Sequence, residues 1–203
     1  MKENLQNAPL SDRFEHLVAL ISSPRFLKKE GLGNEVPFFI CPFKVSETID
    51  MQKIQYRLVK HLEQKGVAVL SLNLYDICID ILKKNGDWEW LIENEKASSK
   101  NELLEDMQSM LDVETIIIPE IAERMKKIHF DVLFLTGVGE VFPYIRSHNV
   151  LNNLQSTVTE QPAVLFFPGE YKQSPERGAS LELFGKLRDD KYYRAFNIFH
   201  CEI

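Results

Sequence analysis

The sequence predicts an α/β fold, a three-layer domain built on a mostly parallel five-stranded sheet. Two observations carry that prediction. Five short apolar runs lack the polar alternation of a half-exposed strand, so they read as strands covered on both faces. Segments with apolar residues at helical spacing separate most of them, so the connections are crossovers rather than hairpins. The 203 residues are 44% hydrophobic and 27% charged, the size and mix of one globular domain, expected to span 1–203.

The first element is a helix over about 10–22, where Leu10, Phe14, Leu17, Val18 and Ile21 fall on one face. Asp12 followed by Glu15 suggests a capping-box start, and Ser22-Ser23-Pro24 breaks the helix. Residues 36–41 read as strand one, stopped by Pro42. Helical spacing returns over 50–65 with Ile54, Leu58 and Leu62 inward, and Gly66 is the stop. Strand two covers 67–74 and a helix follows over 77–84, ending near Asn85-Gly86. Residues 102–127 read as two helices, because Pro119 suits a first turn better than a helix middle. Residues 131–136 and 163–167 are strands three and four, and about 194–201 is the last. No repeat, low-complexity run or linker interrupts the chain.

Composition excludes several function classes. Lys plus Arg total 24 against 30 Asp plus Glu, a net charge of −6, unlike a polybasic protein that coats nucleic acid. Cys41, Cys78 and Cys201 are an odd number without a C-x-x-C pair, which argues against a disulfide framework or structural zinc. The N-terminal stretch has no secretory pattern, and no apolar run is long enough to span a membrane. A cytoplasmic protein with reduced thiols is expected.

In an open parallel sheet, ligands bind beyond the carboxyl ends of the strands. The residues expected on that rim are Asp76 after strand two, Gly137, Gly139 and Glu140 after strand three, and Gly169 and Glu170 after strand four. Asp76 and Glu140 could together hold Mg²⁺, or simply be solvated or capping carboxylates. The glycines permit close backbone approach but equally suit plain turns. The order of strands and small, acidic turns resembles a P-loop-type core without its Walker motifs. CPFKVSETID after strand one has no glycine-rich cradle, and Gly137-Val138-Gly139 lacks the third glycine of a dinucleotide fingerprint. The five histidines show no H-E-x-x-H spacing. No catalytic set, metal site or cofactor is therefore assigned.

Residues 142–200 hold seven Lys/Arg against six acids, with Tyr144, Tyr171, Tyr192 and Tyr193 interleaved. Such mixtures serve protein interfaces and single-strand grooves alike. Trp88, Tyr144, Arg146, His148, Arg188, Tyr192 and Tyr193 are the candidate contact residues, since tryptophan, tyrosine and arginine most often anchor interfaces. Trp88 and Trp90 are expected in a turn, Gly-Asp-Trp-Glu-Trp.

Several stretches are long and unusual: GLGNEVPFFICPF (31–43), NLYD (73–76), NGDWEWLIENE (85–95), GVGEVFPYIRSHNVLNNLQS (137–156), FFPGEY (166–171), GASLELFG (178–185) and DDKYYRAFNIF (189–199). By these the chain resembles the BrxB family, small components of bacteriophage-exclusion (BREX) defence systems, from about Arg13 to the C-terminus. The resemblance implies partners encoded alongside: an ATPase, a DNA adenine methyltransferase, and PglZ, a protein with an alkaline-phosphatase-like domain. It carries no catalytic residue onto this sequence.

The expected function is a non-catalytic assembly subunit that binds another defence protein, PglZ foremost, with any DNA association indirect and no membrane contact. The alternatives are a metal-dependent enzyme acting on phosphodiester or nucleotide through Asp76 and Glu140, or a nucleic-acid module using Arg146, Arg177, Arg188 and Arg194.

Overall fold

Strand β1 (Phe38–Phe43) is buried along its whole length, as its unbroken apolar sequence requires. It lies between β4 (Ala163–Ser174) and β7 (Phe196–Asn197), and the parallel strands run in the order β2-β3-β4-β1-β7. Strand β2 (Val69–Asn73) forms one edge, with Ser71 exposed between buried Leu70 and Leu72. Strand β3 (Val132–Thr136) is again wholly buried. The computed structural model describes residues 5–30, 37–174, 178–189 and 195–203.

The two-residue period of the strands sorts their side chains into two cores. Phe39, Cys41, Val132, Phe134, Val164 and Phe166 meet helices α1 (Leu10–Ile21) and α3 (Thr48–Gln64). A short helix, α2 (Pro24–Leu27), joins that layer through Phe26. The alternate residues Phe38, Ile40, Leu133, Leu135, Leu165 and Phe167 meet the second layer. That layer comprises α4 (Leu74–Asn85), α5 (Asp87–Asn94), α6 (Lys100–Met110), α7 (Ile118–Lys127) and α8 (Ser147–Leu154). The expected three layers and mostly parallel sheet are present.

Local signals explain most boundaries. Gly86 ends α4 in the left-handed conformation (φ 83°), and Ser99 and Glu102 form a capping box at the start of α6. Pro119 occupies the first turn of α7, where its missing N–H costs nothing. A π-helical turn, Val113–Ile117, feeds that helix and is capped by Asp112, which accepts from the Thr115 N–H at 2.8 Å.

Five expectations need correction. Strand one does not stop at Pro42 but continues to Phe43; β7 pairs only Phe39 and Ile40, so beyond them that side of β1 has no strand partner to miss an N–H. Strand four does not stop at Phe167. It runs on to Ser174 and pairs antiparallel with β5 (Gly178–Leu183), which pairs with β6 (Leu187–Asp189). Pro168-Gly169 disguised this extension as a loop. The Gly-Asp-Trp-Glu-Trp segment is helix α5, not a turn, and the capping box expected at Asp12 and Glu15 is absent: Pro9 precedes α1 without a side-chain cap. The last strand is two residues long before a 3₁₀ turn, Ile198–His200, capped by the Asn197 side chain.

Candidate functional site

Because β1 to β4 are parallel, their carboxyl ends lie on one edge. The ladder pairs Asn73 with Thr136 and Phe43 with Pro168 there. Asp76, Gly137, Gly139 and Glu140 follow on the ends of β2 and β3, whereas Gly169 and Glu170, expected after strand four, lie within β4 as the first residues paired with β5. Local packing accounts for each. Asn73 caps α4, its Oδ1 accepting from the N–H groups of Tyr75 (2.8 Å) and Asp76 (3.4 Å). Asp76 thus sits in the first turn of that helix, where a carboxylate complements the dipole. Gly137 (φ 76°) presses against the Asn73 side chain, so a Cβ would overlap it. At Gly169 a Cβ would overlap the Glu182 carbonyl across the β4–β5 pair. Glu140 accepts from Gln52 Nε2 at 3.4 Å, and Lys172 bridges Glu170 (2.7 Å) and Glu182 (2.9 Å).

Two clefts open on this edge. One of about 650 Å³ lies between the turn after β1 and the β4–β5 hairpin, with Lys44, Ser46, Glu170, Lys172 and His200 among its walls. A smaller one of about 190 Å³ is walled by Phe43, Asn73, Gly137, Glu140 and Phe184. Among the described residues, no group of three or more His, Cys, Asp or Glu could hold a metal ion. The turn after β1 is occupied by its own anion: Glu47 accepts from the Lys44 N–H at 3.1 Å and pairs with buried Arg13 at 2.8 Å.

The candidate contact residues fall elsewhere. Trp88 on α5 and Tyr144 in the loop after β3 line one apolar groove of about 270 Å³, together with Leu103 and Met107 of α6. Both aromatics rest on the core and stay half-buried. Lys83 Nζ lies 5.8 Å from the Trp88 ring centroid. Tyr75 (44% exposed) and Ile92 (59% exposed) also line the groove, and Glu95 and Glu140 stand at it. The sequence signal for α6 and Ile92 was available: Leu103, Leu104, Met107 and Met110 repeat at helical spacing next to WEWLIEN.

Arg146 is exposed just before α8, whereas His148 is 5% exposed and packs inside rather than offering a contact surface. Arg188 sits opposite Glu182 in the β5–β6 pair. Tyr192, Tyr193, Arg177 and Arg194 lie outside the described residues. The three thiols are held protonated by burial: Cys41 and Cys78 are pushed up to about 12 and Cys201 to about 11.

Comparison with known proteins adds a family. The family model described as BREX protein BrxB matches residues 70–198. A BREX protein BrxB of Bacillus cereus (strain H3081.97) is 32% identical over 193 residues, covering 93% of this chain and 97% of the relative. A BREX protein BrxB of Escherichia coli O9:H4 (strain HS) is 29% identical over 189 residues, covering 93% and 91%. No solved structure matches.

Proposed function

The chain belongs to the BrxB family, and on that premise we propose that it is a non-catalytic assembly subunit of a BREX anti-phage system, binding another component, PglZ foremost. The observation that carries this reading is the groove between α4, α5 and α6. It gathers Trp88 and Tyr144 from distant parts of the chain and leaves apolar surface at Tyr75 and Ile92 open to a partner. The rim carboxylates, by contrast, are accounted for by helix-dipole, hydrogen-bond and ion-pair roles within the fold. On this reading the chain acts as a single domain in the cytoplasm, needs no cofactor, and reaches DNA only through its partners. No helix among the described residues is long and apolar enough to cross a membrane.

The test is a pull-down of the tagged chain from cells expressing the complete defence operon. Stoichiometric recovery of an operon protein, PglZ first, is the expected result. Recovery of none, together with Mg²⁺-dependent turnover of a nucleotide or phosphodiester by the chain alone, would replace assembly with catalysis.

A further inference from the structure

Helix α6 buries none of its residues completely, although Leu103, Leu104, Met107 and Met110 give it an apolar stripe. Leu103, Met107 and Met110 pack on the core with part of their surface and stay half-buried. Here Leu103 and Met107 form one wall of a groove whose other walls are Tyr75, Trp88, Ile92 and Tyr144. Methionine and aromatic side chains suit a surface that must receive another set of side chains.

The charged residues that line the groove, Glu95 and Glu140, are both acidic, and the stretch that builds most of it is net acidic. Residues 75–107 carry nine acids against four lysines, close to the whole net charge of −6. Two of those lysines are engaged: Lys83 lies over Trp88, and Lys84 stands 3.7 Å from Glu120. Asp80 is paired with Arg124 at 2.8 Å. Glu89, Glu93 and Glu95 on and after α5 make no ion pair among the described residues. An apolar trough with a net acidic rim disfavours phosphate backbones. It also disfavours a second copy of this chain docked face to face, since that would bring like charges together.

We infer that the groove between α4, α5 and α6 receives a basic amphipathic helix of a partner protein. Apolar side chains at i, i+3 or i+4, and i+7 lie along Trp88, Leu103, Met107 and Tyr144, and Lys or Arg on the helix flanks meet the acidic rim. This deepens the assembly reading and rests on it. The helix-in-groove mode places specificity in the anchors and association rate in the charge.

The experiment uses the full chain and two synthetic helices of about 18 residues, long enough to form a helix on binding. One has leucines at helical spacing and lysines elsewhere, and the other replaces lysine by glutamate. A scrambled Leu/Lys peptide controls for non-specific charge. The groove variants are Ile92→Asp and the pair Glu95→Lys/Glu140→Lys, all at exposed positions that leave folding intact. The Leu/Lys helix is expected to bind at least about tenfold tighter than either other peptide. Its affinity should fall with added salt, and each variant should weaken it about tenfold or more.

Each variant should also lose the operon partner in a pull-down. Equal binding of all three peptides, or binding indifferent to both variants, would overturn the inference. So would a dimer in sedimentation that Ile92→Asp dissolves, since the occupant would then be a second copy. Partners retained by both variants would remove the groove while leaving the assembly reading standing. A wild type that recovers no operon protein would remove the assembly reading itself.

Discussion

Trp88 and Tyr144, one on α5 and one in the loop after β3, line the same apolar groove although a strand and two further helices separate them in the chain. Each rests on the core with one side and faces the groove with the other. That position lets an aromatic side chain contribute large contact area while the fold itself fixes its rotamer.

The clearest stability prediction concerns Arg13 and Glu47. Arg13 is 2% exposed, its pair with Glu47 is 2.8 Å long, and its Nε has no hydrogen-bond partner. Glu47→Ala leaves that charge buried and alone, and should cost about 3–5 kcal/mol in urea unfolding. The double change Arg13→Met/Glu47→Gln removes the charge and should recover most of the loss. A cost below about 1 kcal/mol for Glu47→Ala would show the pair to be effectively solvated.

Gly137 and Gly86 share a left-handed backbone but not their surroundings. A Cβ on Gly86 meets nothing within 4 Å, whereas one on Gly137 overlaps the Asn73 side chain. Gly86→Ala should therefore cost only the backbone strain, about 1–2 kcal/mol. Gly137→Ala should cost at least about 1 kcal/mol more through overpacking, and pairing it with Asn73→Gly should return that excess. Equal costs for the two glycine variants in denaturant titrations would contradict the contact.

The thiols give a pH dependence with a definite sign. Folded Cys41 keeps its proton to about 12 because burial penalises the thiolate, against an ordinary 9.0 once unfolded. A group whose folded value is raised contributes fully below the unfolded value and loses that contribution as pH rises. Stability should hold through pH 8 and decline from about 9 toward 12. At pH 8 the native Cys41 and Cys78 should resist a disulfide-exchange reagent and react promptly in urea. Rapid native labelling of Cys41 would show that the strand opens.

The turn after β1 should not bind nucleotide. Its Lys44 N–H is already taken by the Glu47 carboxylate, which would repel a phosphate at the same place. Mg-ATP should leave the melting temperature unchanged. A shift of several degrees that Lys44→Ala abolishes would reveal a phosphate site there.

How far the sequence disclosed this architecture follows from what each signal encodes. The parallel core was legible because β1, β3 and the first half of β4 are apolar without alternation, which only a doubly covered sheet explains. The hairpin extension was not, because Pro168-Gly169 is a genuine break signal that β4 overrides by changing partners, from β1 and β3 to β5. Asp76 and Glu140 stand at neighbouring strand ends, but the partners around them, such as Gln52 and Asn73, are set by the fold and not by spacing alone. Trp88 and Tyr144 were singled out by residue type. Their convergence, and the part that the open stripe of α6 plays in it, needed the fold.

The most direct measurement of the central claim is hydrogen–deuterium exchange of the chain alone and in the defence complex recovered from cells. Residues 87–110, which span α5 and α6, should exchange readily in the free chain, because α6 buries none of its residues fully. In the complex their amides should slow markedly, with a matching slow segment of helical, Lys/Arg-rich sequence in the partner. Unchanged exchange over 87–110, with protection arising on the opposite layer of α1 and α3 instead, would contradict the claim.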